Sequence, residues 1–316
     1  MPAAKLGRGT FINIGKESTY GVAGSITVSA RIASETLKRE QERAQSTHLS
    51  TSAAAFAFDT FDGMEICGGD VELPVYYNGT GILLNAAVGS SSTSASGSLQ
   101  LHTYTPDDSL PSLTIELQRG NNTSEKFKGC IVSTMSLSIE AGQQMSGSFS
   151  FIAQTADTRT SAVSSTFNTA NKKVNHFEAG TLSYNGNTYN LRSMNFNLDN
   201  KVERRDLLGS KLTAEPAITD LREVTLECTA DYEDDNLYNS QLAGDISDTV
   251  IHFTNSDGFI FSVYIKAAQL ISYNDDISTV GRVERTFQFQ GLADAGGSHE
   301  AFKIEITNNN SGAEDN

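Results

Sequence analysis

The side chains best able to do chemistry in this sequence are its carboxylates, which gather in three acidic stretches. These are Asp107 with Asp108, residues 231–236 (DYEDDN), and Asp275 with Asp276. Neighbouring carboxylates can bind calcium or serve as the acid and base of a glycosidase. The DYEDDN stretch lacks the sixth-position glycine and twelfth-position glutamate of an EF-hand loop. We therefore interpret all three stretches as solvated or lumen-facing acidic surface.

Histidine and cysteine form no catalytic or metal-binding constellation. None of the five histidines has a neighbour at ligand spacing: they are His48, His102, His176, His252 and His299. The three cysteines are odd in number and far apart, which predicts small buried side chains: Cys67, Cys130 and Cys228. The chain has no GxSxG, Walker, HExxH or CxxC motif. We expect no enzymatic activity, no cofactor and no metal.

Composition and charge favour a β-rich protein that does not hold nucleic acid. Hydrophobic residues make up 38%, charged residues 19%, and tryptophan is absent. The formal net charge is -15, from 23 basic and 38 acidic residues, so the protein as a whole repels DNA and anionic membranes. The N-terminus has no apolar leader and no segment has the ~18 apolar residues of a membrane span. We expect a soluble product made in a cytoplasm.

A duplication is indicated by two stretches that read as strand, turn, short amphipathic helix and glycine. Residues 71–89 (VELPVYYNGTGILLNAAVG) correspond to residues 224–244, with a shift of 153 to 155 positions. Residues 128–154 correspond to 266–292 with a shift of 138, which aligns Phe149 with Phe287 and Phe151 with Phe289. Apolar and polar residues alternate around these phenylalanines, as in half-buried strands.

The remaining segments complete a two-domain scheme. The smaller second shift implies extra residues in the first half, and the Ser-rich residues 89–112 are expected to be a long mobile loop there. Residues 25–43 are aligned with 191–209, each a strand that runs into charged residues. The scheme is an N-terminal arm (1–24), a first domain (25–155), a linker (156–180), a second domain (181–306) and a disordered tail (307–316).

The charged stretches LKREQER and KVERRDLLGSK have two interpretations. They are either exposed loops whose ion pairs contribute about 0–1 kcal/mol each, or a subunit interface that docks on a neighbour's carboxylates. Their occurrence in both halves favours the interface. The candidate interface residues are Lys38, Arg39, Arg43, Arg204 and Arg205, with Glu17 and Tyr20 in the arm.

Residues 7–25 (GRGTFINIGKESTYGVAGS), followed by a strand, a charged stretch and residues 71–89, resemble the tail tube proteins of long-tailed, siphovirus-type bacteriophages. The pieces that carry the resemblance are a Gly-x-Glu-x-Thr-Tyr-Gly signature near the start and a strand with a short helix that ends at a glycine. Their order along the chain carries more weight than any one of them.

This resemblance implies a mainly β fold of two tandem β-sandwich domains, each with one short α-helix, whose inner strands join a ring-wide β-barrel. Three duplicated copies would form a pseudo-hexameric ring. Rings would stack into the virion tail tube, with long loops and residues 15–25 reaching to neighbours that order them. The implied partners are the tape measure, tail terminator and baseplate or tail-tip proteins, and double-stranded DNA in transit; no membrane is implied.

The lumen strands are expected to contain Phe149, Phe151, Phe287 and Phe289, with Ser148, Ser150, Gln288 and Gln290 as their polar neighbours. An acidic lining would let DNA slide, whereas a lining of Lys and Arg would hold it. Two alternatives remain open: another virion structural role, as a contractile-tail tube or capsid decoration protein, and a glycan-binding β protein. The absence of tryptophan counts against the glycan-binding protein, since sugar sites favour aromatic platforms.

Overall fold

The computed structural model describes residues 7–45, 59–120, 123–165, 167, 172–276, 283–293 and 300–310. The expected mainly β fold is confirmed. The elements of the first half are β1 (Phe11–Lys16), β2 (Val28–Arg31), β3 (Ser34–Glu35), β4 (Lys38–Gln45), β5 (Thr60–Pro74), α1 (Gly81–Val88), β6 (Gly89–Ser96), β7 (Leu99–Pro106), β8 (Leu113–Arg119), β9 (Thr123–Glu140), β10 (Ser146–Ala153), β11 (Thr155–Ala156) and β12 (Thr160–Ser161).

A 3-10 turn (His176–Glu178) precedes the second half. The second half contains β13 (Leu182–Tyr184), β14 (Asn187–Tyr189), β15 (Leu191–Asp199), β16 (Val202–Arg205), β17 (Ala214–Ile218), β18 (Glu223–Asp231), α2 (Asn236–Ala243), β19 (Ile246–Thr254), β20 (Ile260–Asn274), β21 (Glu284–Leu292) and β22 (Phe302–Asn308).

Eight strands pair side by side in one antiparallel array, which we call the long sheet. Its order is β4–β5–β10–β9–β15–β18–β21–β20. The first four strands come from the first half of the chain and the last four from the second. The pair β9–β15 joins the two halves through backbone hydrogen bonds.

The strands β9 and β20 are long enough to belong to two layers. The first part of β9 pairs with β8 and with β11 and β12, and β8 continues to β1 and β2. The first part of β20 pairs with β19 and β22, and β19 continues to β13 and β14. Apolar side chains from the long sheet, from these strands and from α1 form one buried cluster.

The central ladders of the two halves have the same register, including a bulge. The paired positions are Phe149↔Met135 and Phe151↔Val132 in the first half, and Phe287↔Tyr273 and Phe289↔Leu270 in the second. Each ladder skips one residue of its longer strand, Ser133 in β9 and Ile271 in β20. Ile271 lies 138 positions after Ser133, the shift found in the sequence.

Other correspondences differ from the sequence alignment. Val71 lies opposite Phe149 and Cys228 lies opposite Phe287, so β5 and β18 correspond with a shift of 157 rather than 153 residues. In the β4–β5 pair Lys38 lies opposite Gly68, and in the β15–β18 pair Asn197 lies opposite Thr225. Because Gly68 and Thr225 are also 157 residues apart, β4 corresponds to β15, and the alignment of residues 25–43 with 191–209 was wrong by seven positions.

Both helices end at the glycines that the sequence indicates. Gly244 follows α2 in the left-handed region (φ 70°), a conformation that favours glycine, and its N–H donates to the carbonyl of Gln241. Gly89 follows α1 with φ 120°. The expected amphipathic character is wrong for α1, all of whose residues are buried, because α1 lies between the long sheet and the β6–β7 hairpin.

The prediction for the Ser-rich segment was wrong: residues 89–106 form the hairpin β6–β7 and not a mobile loop. Its second strand pairs with β22, so Tyr104 lies opposite Ile304 and His102 lies opposite Ile306. Serine and threonine have short side chains that suit a strand as well as a loop, which is why composition misled the prediction. The disordered tail was also predicted from composition, and its expected start at residue 307 is too early because Thr307 and Asn308 belong to β22. Residues 311–316 lie outside the described residues.

The N-terminal segment also differs from the expected arm. Residues 11–16 form β1, which pairs with β2 on one side and β8 on the other within the same chain. The described part of the expected linker contains β12 and the 3-10 turn; residues 166 and 168–171 lie outside the description. No helix within the described ranges has the length and apolar character that crossing a bilayer requires.

Candidate functional site: the polar face of the long sheet

The long sheet has one apolar face and one polar face because its strands alternate residue by residue. The four phenylalanines expected in the lumen strands point into the core and are at most 3% exposed: Phe149, Phe151, Phe287 and Phe289. Their polar neighbours are half-buried on the opposite face: Ser148, Ser150, Gln288 and Gln290. Of these eight residues, the polar four are therefore the ones that can meet solvent or cargo.

The polar face crosses both halves of the chain without interruption. One row of cross-strand neighbours runs through six strands, from Glu72 to Ser148, Ser136, Asn197, Thr225 and Gln290. Every member is a carboxylate, an amide or a hydroxyl. We call the outward residues of the long sheet, of which this row is the centre, the polar face.

Carboxylates supply the charge on this face. Glu72 accepts hydrogen bonds from the hydroxyls of Ser34 (3.0 Å) and Ser146 (3.1 Å). Asp70 receives its hydrogen bonds from Thr36, whose hydroxyl lies 3.4 Å from the carboxylate. Hydroxyl donors orient these carboxylates without neutralising them.

The basic side chains on the polar face are themselves paired with carboxylates. The ammonium of Lys201 lies 2.5 Å from Asp199 and 3.2 Å from Glu223, and Lys38 lies 2.9 Å from Glu40. Partial burial alone would raise the pKa of Asp199, but hydrogen bonds from the Lys201 side chain and backbone outweigh it and lower that pKa. The hydrogen bonds to Asp199 and Glu223 raise the pKa of Lys201 in turn.

This arrangement leaves few unpaired cations on the polar face that could bind the phosphates of DNA. A basic surface binds DNA by releasing the counterions of the phosphates, and each Lys or Arg contact adds to the affinity. Lys38 and Lys201 already have carboxylate partners, and so do two further exposed arginines of the long sheet, Arg192 with Asp231 (3.7 Å) and Arg43 with Asp62 (3.8 Å). The central row itself is neutral or acidic. Within the described ranges, no group of three or more His, Cys, Asp or Glu side chains could hold a metal ion.

The two outer strands of the long sheet each have an edge that no described strand covers. β4 pairs with β5, and the described residues place no strand on its other side. The last part of β20 pairs with β21 along one edge. Along its other edge β20 pairs with β19 only as far as Gln269, so no described strand covers Ser272 to Asn274 on the β19 side. Uncovered strands present unpaired backbone groups that can pair with another chain.

Two of the candidate interface arginines are held within their own chain by Glu65. The guanidinium of Arg39 lies 2.7 Å from the Glu65 carboxylate, and it also donates to the carbonyl of Ala156. Arg204 donates to the backbone carbonyl of Glu65 at 2.9 Å. Thr155 donates to the same carboxylate at 2.6 Å. Sequence reasoning missed Glu65, because nothing in its local sequence marks it as a centre of long-range contacts.

The other basic candidates lie at the surface. Arg43 is 71% exposed and 3.8 Å from Asp62, and Arg205 contacts the carbonyl of Glu215 at 3.4 Å. Lys38 is also exposed, with 62% of its side chain accessible. All three side chains can be reached by another molecule, although Lys38 would have to share its charge with Glu40.

Glu17 differs most from its expected interface role, since its carboxylate is buried in its own chain. It accepts hydrogen bonds from the hydroxyls of Ser112 and Thr114, both at 2.8 Å, and from the backbone N–H groups of Gly21 and Gly129, both at 2.9 Å. Gly129 has φ 63°. The Gly-x-Glu-x-Thr-Tyr-Gly signature thus anchors β1 to β8 and β9.

Tyr20 is half-buried beside this carboxylate. Its hydroxyl lies 3.4 Å from the carbonyl of Ala214. Its ring packs so closely on Gly129 that a Cβ atom at that position would lie 2.9 Å from the ring. Burial raises the pKa of the Tyr20 hydroxyl. The cysteines are buried and free, as expected; burial raises the pKa of Cys67 to about 12, which makes it a poor nucleophile.

The fold and the polar face together define a mainly β protein whose long sheet ends, among the described residues, in two strands that each have an uncovered edge. A family model described as phage tail tube protein matches residues 7–291, which is most of the chain. The protein therefore belongs to the phage tail tube protein family and is a structural component of the virion tail. No curated protein matches the chain.

Proposed function

We propose that this protein polymerises into stacked rings that form the hollow tail tube of a siphovirus-type phage, through which double-stranded DNA passes into the host. The observation that carries the proposal is the long sheet, in which two four-strand units are joined edge to edge and the outer edges are open. Repeating the same join between chains would extend the sheet around a ring.

Three copies per ring follow from a duplicated tube domain. The shared register and bulge of the β10–β9 and β21–β20 ladders support duplication, as does the matching order β5–β10–β9 and β18–β21–β20. Each chain would then contribute two tube domains, so that three chains supply six. The β6–β7 hairpin would be an insertion in the first domain.

The polar face would line the lumen in this arrangement. Its hydroxyls and amides interact weakly with phosphates, and its carboxylates repel them, so DNA would pass without being held. The partners in assembly would be other copies of this chain, the tape measure, tail terminator and baseplate or tail-tip proteins. Assembly would take place in the host cytoplasm.

Ring stacking would use surfaces at the rim of the subunit. The hairpin β16–β17 projects the side chain of Leu208, which is fully exposed, with Leu207 55% exposed beside it. Adjacent exposed apolar side chains form a small apolar patch, and such patches can mark an interaction site. We expect them to contact a neighbouring ring.

Electron microscopy of the purified protein over a concentration series, with mass per length from the same samples, tests the tube. Hollow tubes with three chains per ring are the expected result. Uniform small particles at every concentration, with or without a tape measure protein, would contradict the proposal.

A charge change on the polar face tests the lumen. Virions whose tubes carry Ser148→Lys should assemble normally but eject DNA more slowly, because three added cations per ring repeat along the tube. The matched control is Ser148→Gln, which adds bulk without charge. Equal ejection rates for both variants and the parent would show that this face does not meet DNA.

A further inference from the structure

The seam inside the chain offers a template for the contact between chains. In the pair β9–β15 the opposed positions are Thr134↔Asp199, Met135↔Leu198, Ser136↔Asn197 and Leu137↔Phe196. The N–H of Asn200 donates to the carbonyl of Ser133, so even-numbered residues of β15 exchange hydrogen bonds with β9. Asn197 and Ser136 therefore form a non-hydrogen-bonded pair, in which the Cα atoms are about 4.5 Å apart.

The two open edges are the counterparts of the two strands in this seam. β20 corresponds to β9 with a shift of 138, as the bulges at Ile271 and Ser133 establish. β4 corresponds to β15 with a shift of 159, because Lys38 and Asn197 occupy equivalent positions beside β5 and β18. The uncovered side of β20 is the side on which β9 receives β15.

We propose that β4 of one copy pairs with the end of β20 of the next copy in this same register, with Lys38 opposite Asn274 and Arg39 opposite Tyr273. This inference rests on the proposed ring and specifies its contact. Lys38 and Arg39 then lie diagonally across from Asp276 and Asp275 respectively. Diagonal neighbours are about 7–8 Å apart at the backbone, within reach of long side chains.

Charge complementarity distinguishes this contact from the seam inside the chain. The internal seam buries Met135, Leu137, Phe196 and Leu198, all at most 1% exposed. The corresponding positions at the open edges are Tyr273, Asp275, Leu37 and Arg39. At these four positions one cation, Arg39, and one carboxylate, Asp275, therefore replace apolar residues of the internal seam.

The required side chains are accessible before assembly. Lys38 is 62% exposed, and Asp275 and Asp276 are exposed. Arg39 is already held by Glu65 at 2.7 Å, so it meets a neighbour in a fixed position. Arg119 donates to the carbonyl of Leu37, which covers one edge acceptor while the chain is alone.

Cysteine cross-linking tests the register. The variant Lys38→Cys with Asn274→Cys places two thiols on a non-hydrogen-bonded pair, whose spacing suits a disulfide. Mild oxidation of assembled protein should convert most of it to a covalent trimer that resists denaturant and dissociates on reduction. The matched control is Lys38→Cys with Ser272→Cys, which is two positions out of register on the same face and should cross-link at least about fivefold more slowly.

Charge exchange tests the electrostatic part. Lys38→Glu or Asp276→Lys alone should raise the concentration needed for assembly by about fivefold, since an ion pair becomes a like-charge pair. The double variant Lys38→Glu with Asp276→Lys should restore it. Both positions are exposed, so the soluble variants should keep the parent's circular dichroism spectrum and unfolding midpoint.

The outcomes separate this contact from the tube itself. Tubes that cross-link through the in-register pair support both proposals. Tubes that cross-link faster through the out-of-register pair, or through neither pair, overturn the register and leave the tube standing. If electron microscopy shows no rings or tubes for the parent protein, the proposed function fails, and this contact fails with it.

Discussion

The seam between β9 and β15 and the open edges of β4 and β20 have equivalent places in the long sheet but opposite chemistry. The seam is closed by buried apolar side chains, among them Met135 and Phe196. The edges present charged residues, such as Lys38 on β4 and Asp275 after β20. Charged edges discourage random strand addition, whereas an apolar seam stays closed. One sheet can therefore combine a join that is closed by apolar burial with outer edges that carry charge and stay uncovered.

The largest effect should come from opening the closed seam. Phe196→Ala removes a fully buried ring that lies 5.5 Å from the ring of Phe302, and it should lower the free energy of unfolding by about 3–5 kcal/mol. Urea denaturation measures this change. Lys38→Ala on the exposed edge is the control and should change stability by about 0.5 kcal/mol or less. Equal losses at the two sites would contradict the contrast.

A smaller loss is expected from Glu17, which accepts the N–H of Gly129 where the β8–β9 ladder shifts its register. Glu17→Ala leaves four donors in a buried site without their acceptor, including the N–H of Gly129, and should cost about 2–3 kcal/mol. The counterpart of Gly129 in β20 is Ala267, so hydrogen exchange should increase in β8 and β9 more than in β19 and β20. Uniform loss of protection would argue against a local role. Glu17→Gln keeps one acceptor and should cost less.

As the pH falls, we expect the open edge at β4 to lose stability at a higher pH than the closed seam does. Burial alone would raise the pKa of Glu65, but hydrogen bonds from Thr155 and Arg39 prevail and hold it below the usual 4.5. A lowered pKa in the folded state means that Glu65 stabilises the fold above pH 4.5 and loses this contribution as the pH falls through the lowered value. Between pH 6 and pH 3, Glu65→Gln should therefore flatten the dependence of unfolding free energy on pH. An unchanged slope would show that Arg39 is held by something else.

The smallest effect on stability is expected at the hairpin tip. Leu208→Ser changes a fully exposed side chain and should alter the free energy of unfolding by less than about 0.5 kcal/mol. If the tip joins neighbouring rings, the same variant should shorten tubes in micrographs while leaving single rings intact. Unchanged tube length would remove Leu208 from the stacking contact. A fall in stability above 1 kcal/mol would show that the tip is packed.

The sequence predicted the features that depend on local alternation. Phe149 and Phe287 were identified as inward residues of corresponding strands, and the shift of 138 between them holds through the ladders and their bulges. Both helices end at the expected glycines. Period-two alternation fixes which face of a strand is buried, and this information is present in a few consecutive residues.

Long-range pairing could not be predicted in the same way. The contacts of Glu17 with Ser112 and of Glu65 with Thr155 and Arg204 join residues about 90 to 140 positions apart, and no local pattern indicates these donors. The seam β9–β15 was also invisible, because pairing partners are chosen by the whole sheet. The Ser-rich segment was assigned by composition, which does not report the presence of β22 beside it.

The pairing of β7 with β22 ties the first half of the chain to its last described strand, and this has a consequence for timing during synthesis. The ring of His102 hydrogen-bonds to Asn308, which is 206 residues further along the chain. At about 5–20 residues per second, a ribosome needs roughly 10–40 s to make that stretch. Until then the hairpin has no strand to pair with. A nascent chain thus reaches its final form late, and a molecule that stops before β22 lacks the strand with which β7 and the first part of β20 pair.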